Sequence, residues 1–189
     1  MVDIAREEAY VIKKVGSIYE LETAFKNGFI ELFDECFNAA PYFLKYSDEE
    51  LWNIYANHFK MGFVLFAHKD NKIVGFAGSR PLVDDEYVAD DVKSFFSNVY
   101  DYWYHSDIGV SKAERGKGLA QKLIQESINQ TPNNKKILMR TKEDNIPSVK
   151  LHKKMGFAIL NDVFQTIKRK DSMGNDVYDK RIYMIYNKD

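Results

Sequence analysis

The sequence predicts a single α/β domain of the α+β kind, in which helices flank a sheet that begins with antiparallel strands. Three observations lead there. The chain has 189 residues, 45% of them hydrophobic and 29% charged, enough for one sizeable core and short for two. The stretch FVLFAHKDNKIVGFAGSRPL sets two apolar runs around the polar turn Asp70-Asn71-Lys72, a hairpin signal. Helical and strand periodicities also alternate from end to end without a repeat, low-complexity tract or linker, so residues 1–189 are read as one domain.

Taken in order, Tyr10 to Val15 reads as a short strand. Ser17 and Ser47 are each followed three residues later by a glutamate, Glu20 and Glu50, and then by apolar residues at helical spacing. Both pairs have the form of a capping box, and they start helices reaching about Phe37 and about Met61. The hairpin follows. After Pro81 the chain turns acidic and then aromatic, which predicts a loop, a short helix near 90–99 and a strand from about Tyr100 to Val110. Ala120, Leu123, Ile124 and Ile128 restore helical spacing, and KKILMRTK is the next strand. A short helix around 147–155 precedes two long strand-like runs flanking the turn-rich DSMGND, the second alternating through Ile182, Met184 and Tyr186.

Composition excludes several classes of function. No apolar stretch is long enough to span a bilayer, and MVDIAREEAY is too acidic for a signal peptide, so a soluble cytoplasmic protein with no membrane partner is expected. The lone Cys36 has no partner for an internal disulfide. It falls on the apolar side of a helical pattern with Phe25, Phe29 and Phe33, as a small core residue would. His58, His68, His105 and His152 show no close pairing with one another or with cysteine, so no metal site is expected. With 27 basic and 28 acidic residues the net charge is −1, which gives nucleic-acid binding no support. The distribution says more: residues 83–107 carry seven acids and one base, whereas residues 108–170 carry fourteen Lys and Arg against five acids.

The basic block contains ERGKGLAQKLI, Glu114 to Ile124, in which two glycines flank a lysine at the entry to a helix. Unpaired N–H groups and partial positive charge at a helix N-terminus attract anions, and glycine lets a phosphate approach the backbone. A nucleotide-triphosphate loop would need a glycine at Ser111 and Ser or Thr at Gly118. A dinucleotide loop would need a third glycine at Gln121. Both fail. A second element, NIPSVKLHKKMGF from Asn145 to Phe157, follows the strand ending at Thr141, with Pro147 suited to a first helical turn and Gly156 to a helix end.

Together, VSKAERGKGLA and NIPSVKLHKKMGF resemble the two cofactor-binding motifs of the GNAT superfamily of acyl-CoA-dependent N-acetyltransferases. The first matches through Val110, Arg115, Gly116, Gly118 and Ala120, and the second through Asn145, Ser148, Leu151, Lys154, Gly156 and Phe157. The resemblance implies a mixed, mostly antiparallel sheet that splays open, with acetyl-CoA or another short acyl-CoA as co-substrate in the cleft. It implies that backbone groups of Ile108, Gly109 and Val110 pair with the pantetheine arm. It also implies that Arg115, Gly116, Lys117, Gly118, Leu119 and Ala120 hold the pyrophosphate, and that Asn145, Ser148 and Lys154 contribute from the second motif. The basic block then meets the phosphates of coenzyme A.

The implied activity is N-acyl transfer, by direct attack, to a primary amine on a small molecule or peptide. Such an attack requires a neutral amine and a proton for the leaving thiol. His152 stands where the family usually has a tyrosine, and as imidazolium it can protonate a thiolate. For the base, His105 and Asp107 share one face of a strand by two-residue alternation, with Asp85 and Glu86 as rivals, and a carboxylate-lined cleft attracts a cationic amine. The aromatic cluster from Phe95 to Tyr104 is read as at least half core. Two other functions fit the same motifs: acyl transfer to a nucleotide-linked amino sugar, and a non-catalytic acyl-CoA sensor. A monomer or a homodimer is expected.

Overall fold

A computed structural model describes residues 10–170 and 175–188. One seven-stranded sheet runs through it in the order β1-β2-β3-β4-β5-β7-β6. Its strands are β1 (Val11–Lys14), β2 (Phe63–Lys69), β3 (Lys72–Pro81), β4 (Tyr102–Val110), β5 (Lys136–Lys142), β6 (Ala158–Lys170) and β7 (Asp176–Asn187). Every neighbouring pair is antiparallel except β4 and β5, which are parallel. The two-residue turn between β2 and β3 places Asp70 and Asn71 at φ 50° and 62°, as a hairpin of primed type requires.

The helices divide between the two faces. On one side lie α1 (Ile18–Ala24), α2 (Ile30–Phe37) and α3 (Asp48–Met61), which together with the turn between α1 and α2 bury Leu21, Phe29, Phe33 and Tyr55 against Val64, Phe66 and Phe76 of the sheet. On the other lies α5 (Leu119–Gln130), whose Leu119 and Leu123 pack on Phe63, Leu65 and Ala77. Between β3 and β4 the four-residue α4 (Asp90–Lys93) is all that forms of the helix expected over 90–99. Helix α6 (Ile146–Lys154) follows β5.

The structure changes two further local expectations. The capping box at Ser47 and Glu50 is complete, but at Ser17 only half of it forms, because the Glu20 carboxylate accepts from the N–H of Gly16 instead. The helix begun at Ser17 is also not continuous to Phe37. Asn27 and Gly28 leave helical geometry, with Gly28 at φ 99°, and a wide turn over Phe25–Phe29 separates α1 from α2. The turn of DSMGND and the first nine residues lie outside the described residues; the strands flanking that turn, β6 and β7, pair antiparallel as far as Lys170 and Asp176.

A bulge at the centre of the sheet positions the site. Ser79 of β3 opposes His105 while the next β3 partner, Gly78, opposes Asp107, so Ser106 is an extra residue in β4. A bulge bends its strand and increases local twist. Pairing of β4 with β5 stops at the same point, covering only Tyr102 to His105 against Lys136 to Met139. Beyond it the two parallel strands part and the sheet opens as a fork.

Candidate active site

The fork opens into a cleft of about 480 Å³, bounded on one arm by Asp107 to Val110 of β4 and on the other by Met139 and Arg140 of β5 and Arg181 of β7. Arg115, Ala120 and Ile124 close one side, Asn145, Ser148 and His152 of α6 another, and the segment after α2, including Tyr42, a third. Because β5 no longer pairs with this arm, the edge of β4 from Ile108 to Val110 faces the cleft and can take an extended chain by strand addition.

At the end of β4 a short 3₁₀ turn over Lys112–Glu114 leads to the glycine loop. Gly116 and Gly118 adopt φ 76° and 85°, and Gly118 is the N-cap of α5 with no side chain capping the helix. A Cβ on either glycine would meet no protein atom within 4 Å. The glycines therefore serve the left-handed backbone and leave the first N–H groups of α5 open to a ligand. Arg115 donates from Nε to the Val110 carbonyl at 3.1 Å, tying this loop to β4. Lys117 is partly committed: with Lys69 and the Tyr10 hydroxyl it surrounds Glu114, at 3.1, 3.0 and 2.5 Å. Those three donors, the tyrosine first, hold the Glu114 carboxyl down at about 2.

Helix α6 is started by Asn145, whose Oδ1 accepts from the Ser148 N–H at 3.3 Å, with Pro147 in the first turn. The other end of that amide donates from Nδ2 to the Tyr42 hydroxyl at 2.8 Å. Tyr42 also contacts Thr141 Oγ1 at 3.0 Å and so bridges from the α2 side to β5 and α6. Lys154 is exposed and does not line the cleft.

His152 is buried on the cleft wall. Its Nδ1 lies 2.9 Å from the Ser148 carbonyl, which can only accept, so Nδ1 carries the proton and in the neutral ring Nε2 keeps its lone pair. Burial lowers its pKa, only partly offset by that bond. A neutral ring so oriented cannot give a proton from Nε2; only the imidazolium can.

His105 and Asp107 do not share a face, because the bulge at Ser106 breaks the two-residue alternation between them. His105 points toward α5, where it is buried against Phe63 and Phe157 and its Nε2 lies 3.1 Å from Thr131 Oγ1. Burial, with a smaller contribution from His152, lowers its pKa to about 3, so the ring, which also borders the cleft, stays neutral at physiological pH. Asp107 points the other way, toward α3, with its side chain 23% exposed and one oxygen 3.7 Å from Nε2 of the fully buried His58. Both ring nitrogens of His58 lack a hydrogen-bond partner.

The rival acids and the aromatic cluster lie elsewhere. Asp85 is a buried structural anchor: it pairs with Arg80 at 2.8 Å and accepts from the N–H groups of Tyr87 and Val88, and neither Asp85 nor Glu86 lines the cleft. Tyr102 and Tyr104 belong to the core while Phe95 and Tyr100 are exposed, and no residue from 95 to 104 lines the cleft.

Four cleft residues escaped the sequence reading. Cys36, expected in the core, is half-buried on the cleft wall with Sγ 3.5 Å from the Val110 carbonyl, and burial raises its thiol pKa. Tyr42, Arg140 and Arg181 carried no motif. The one available signal was Arg140 directly after the apolar run Ile137-Leu138-Met139 of β5; Arg181 stands in the charged run Asp179-Lys180-Arg181.

Comparison with known proteins bears on the fold and the family. The family model described as the acetyltransferase (GNAT) family matches residues 26–157. A search of curated protein sequences finds no match. Among solved structures, the ribosomal-protein-S18-alanine N-acetyltransferase from Escherichia coli is similar at 13% identity and TM-score 0.65, over 94% of this chain and 93% of that one. An N-acetyltransferase from Staphylococcus aureus Mu50 is similar at 16% identity and TM-score 0.64, over 95% and 99%. A GNAT family acetyltransferase from Elizabethkingia anophelis, solved with acetyl-CoA bound, is similar at 14% identity and TM-score 0.61, over 96% and 99%. At these identities the structures speak for the fold alone; the family match spans most of the chain and includes both glycine-bearing motifs, and the chain therefore belongs to the GNAT family of acetyltransferases.

Proposed function

We propose that this acetyltransferase moves an acetyl group, or another short acyl group, from acyl-CoA to a primary amine on a small molecule or peptide, by direct attack within the fork. The observation that carries the reading is the fork itself. It combines a free β4 edge, an open helix N-terminus at its end, and a partly exposed carboxylate, Asp107, on the face opposite α5.

The residues suit acyl-CoA in two respects. Backbone N–H groups at the start of α5 and the Arg115 guanidinium match a pyrophosphate. The β4 edge from Ile108 to Val110 matches the amides of pantetheine. Coenzyme A then supplies an activated thioester, and the protein supplies position and proton transfer.

An alkylammonium must lose a proton before it can attack. Asp107, the carboxylate that lines the cleft, accepts it or relays it to water. The amine nitrogen bonds to the acyl carbon and releases its second proton to solvent, the carbon–sulfur bond breaks, and the departing thiolate takes one proton. His152 donates that proton when it is an imidazolium, which at neutral pH is the minority form, because burial holds its pKa below the ordinary imidazole value.

The same property of His152 favours a second reading, a module that binds acyl-CoA without transferring the acyl group. Free-thiol release from acetyl-CoA, measured across polyamines, amino acids, amino sugars and short peptides, separates the two. The transferase reading expects release that rises with amine concentration, together with the N-acylated amine in the mixture. Tight CoA binding with no release on any amine would favour the module.

A further inference from the structure

The two arms of the fork carry opposite charge where they face the cleft. On β4 stands Asp107; across the opening stand Arg140 of β5 and Arg181 of β7. Register places Lys142 opposite Arg181 and Arg140 opposite Tyr183, so by two-residue alternation Arg140, Lys142 and Arg181 rise from one face of the sheet.

Among the described residues, carboxylates balance their charges only in part. Lys142 pairs with Asp179 at 3.1 Å and with the exposed Asp144 at 3.4 Å. Arg181 shares Asp179, using Nη2 at 3.2 Å, and its guanidinium lies 4.9 Å from the centre of the Tyr42 ring. Arg181 is only 5% exposed, yet among the described residues its buried Nε has no hydrogen-bond partner, on a residue that lines the cleft. Arg140 donates from Nη1 to the Tyr87 carbonyl and to Gln165 Oε1, both at 2.8 Å, and pairs with no carboxylate among the described residues. Three cations thus meet one buried carboxylate.

A buried N–H without a partner is costly, and a pair of guanidiniums offers forked donors matched to a carboxylate or phosphate. We propose that Arg181 and Arg140 form an anion subsite for the acceptor, so that the preferred substrate carries both a primary amine and an anionic group, as an amino acid or the free carboxyl end of a short peptide does. The amine faces Asp107 and the anion faces the arginines. This deepens the transferase reading and rests on it for the position of the amine. The coenzyme phosphates have their own site at Arg115 and the start of α5.

The test uses matched pairs: amino acids and dipeptides against their carboxamides, and O-phosphoethanolamine against ethanolamine. Each is assayed by thiol release from acetyl-CoA and titrated calorimetrically into CoA-saturated protein. For the wild type, kcat/KM for the anionic member exceeds that of its neutral partner by about 10- to 100-fold, the range for a charge-assisted hydrogen bond. Arg181→Gln and Arg140→Gln should lower the anionic member to the level of the neutral one, leaving the neutral member and CoA affinity within about threefold. Arg140→Gln leaves no carboxylate unpaired, so it keeps the test open if Arg181→Gln does not fold. A preference for O-phosphoethanolamine over every carboxylate would identify phosphate as the anion. Equal treatment of both members by the wild type would overturn the subsite, as would CoA affinity falling with the anion preference. Absence of turnover on every amine would sink the transferase reading alone, since calorimetry still reports whether the anionic members bind through Arg181 and Arg140.

Discussion

Lowering the pH from about 7.5 to about 5 should destabilise the fold by about 2 kcal/mol through His105 alone. This ring is held neutral at a pKa of about 3, because it is buried beside the fork and, among the described residues, hydrogen-bonds only Thr131. In the unfolded chain the same group titrates near 6.5. The folded value is the lower one, so the unfolded state binds the proton more tightly, and stability is lost as the pH falls from the unfolded value toward the folded one. At about pH 5 the unfolded state is favoured by roughly 1.5 powers of ten relative to neutral pH, which is about 2 kcal/mol at about 1.36 kcal/mol per unit. His152, also lowered by burial, adds in the same direction. Urea unfolding of the wild type and of His105→Gln at both pH values isolates the contribution of His105. The variant should lose about 2 kcal/mol less than the wild type over this interval. A difference below about 0.5 kcal/mol would refute the burial argument and reopen His105 as a titrating base.

Three further outcomes follow from the site. Gly118→Val places a branched side chain at φ 85° and over the open N–H groups of α5; it should remove measurable CoA binding while costing the fold about 1–2 kcal/mol, checked by calorimetry beside thermal unfolding. Normal affinity in that variant would place the pyrophosphate elsewhere. His152→Phe should slow thiol release most on the acid side of the pH profile, where the imidazolium is populated, and converge on wild-type rates at alkaline pH, with CoA affinity kept. A pH-independent loss would assign the ring to positioning. Tyr42→Phe removes the hydroxyl that joins the α2 side to Thr141 and Asn145, and should cost about 1 kcal/mol of stability in urea unfolding.

The glycine loop and the helix capped by Asn145 were legible in the sequence because each depends on local backbone chemistry. Gly116 and Gly118 sit at positive φ, and Asn145 and Pro147 open α6, as their residue types require. The pairing of β2 with β3 was legible for the same reason, since Asp70 and Asn71 suit the turn between them. The thioester end was not legible. One extra residue at Ser106 sends His105 and Asp107 to opposite faces, and a bulge of that kind leaves no mark in a polar, unremarkable tripeptide. Asp85 stands in an acidic run that reads as solvated, yet it is buried by its partnership with Arg80, five residues earlier on β3. Arg140 and Arg181 come together only through the pairing of β5 with β7, about forty residues apart in the chain, so neither could be linked to the other by spacing.

The central claim is that an amine is acylated beside Asp107 in the fork, and Asp107→Asn tests it most directly. At saturating acetyl-CoA, the amide cannot take the ammonium proton, and thiol release should fall by about 10²- to 10⁴-fold with CoA affinity unchanged. Wild-type turnover in Asp107→Asn would contradict the account and move the chemistry away from this arm of the cleft.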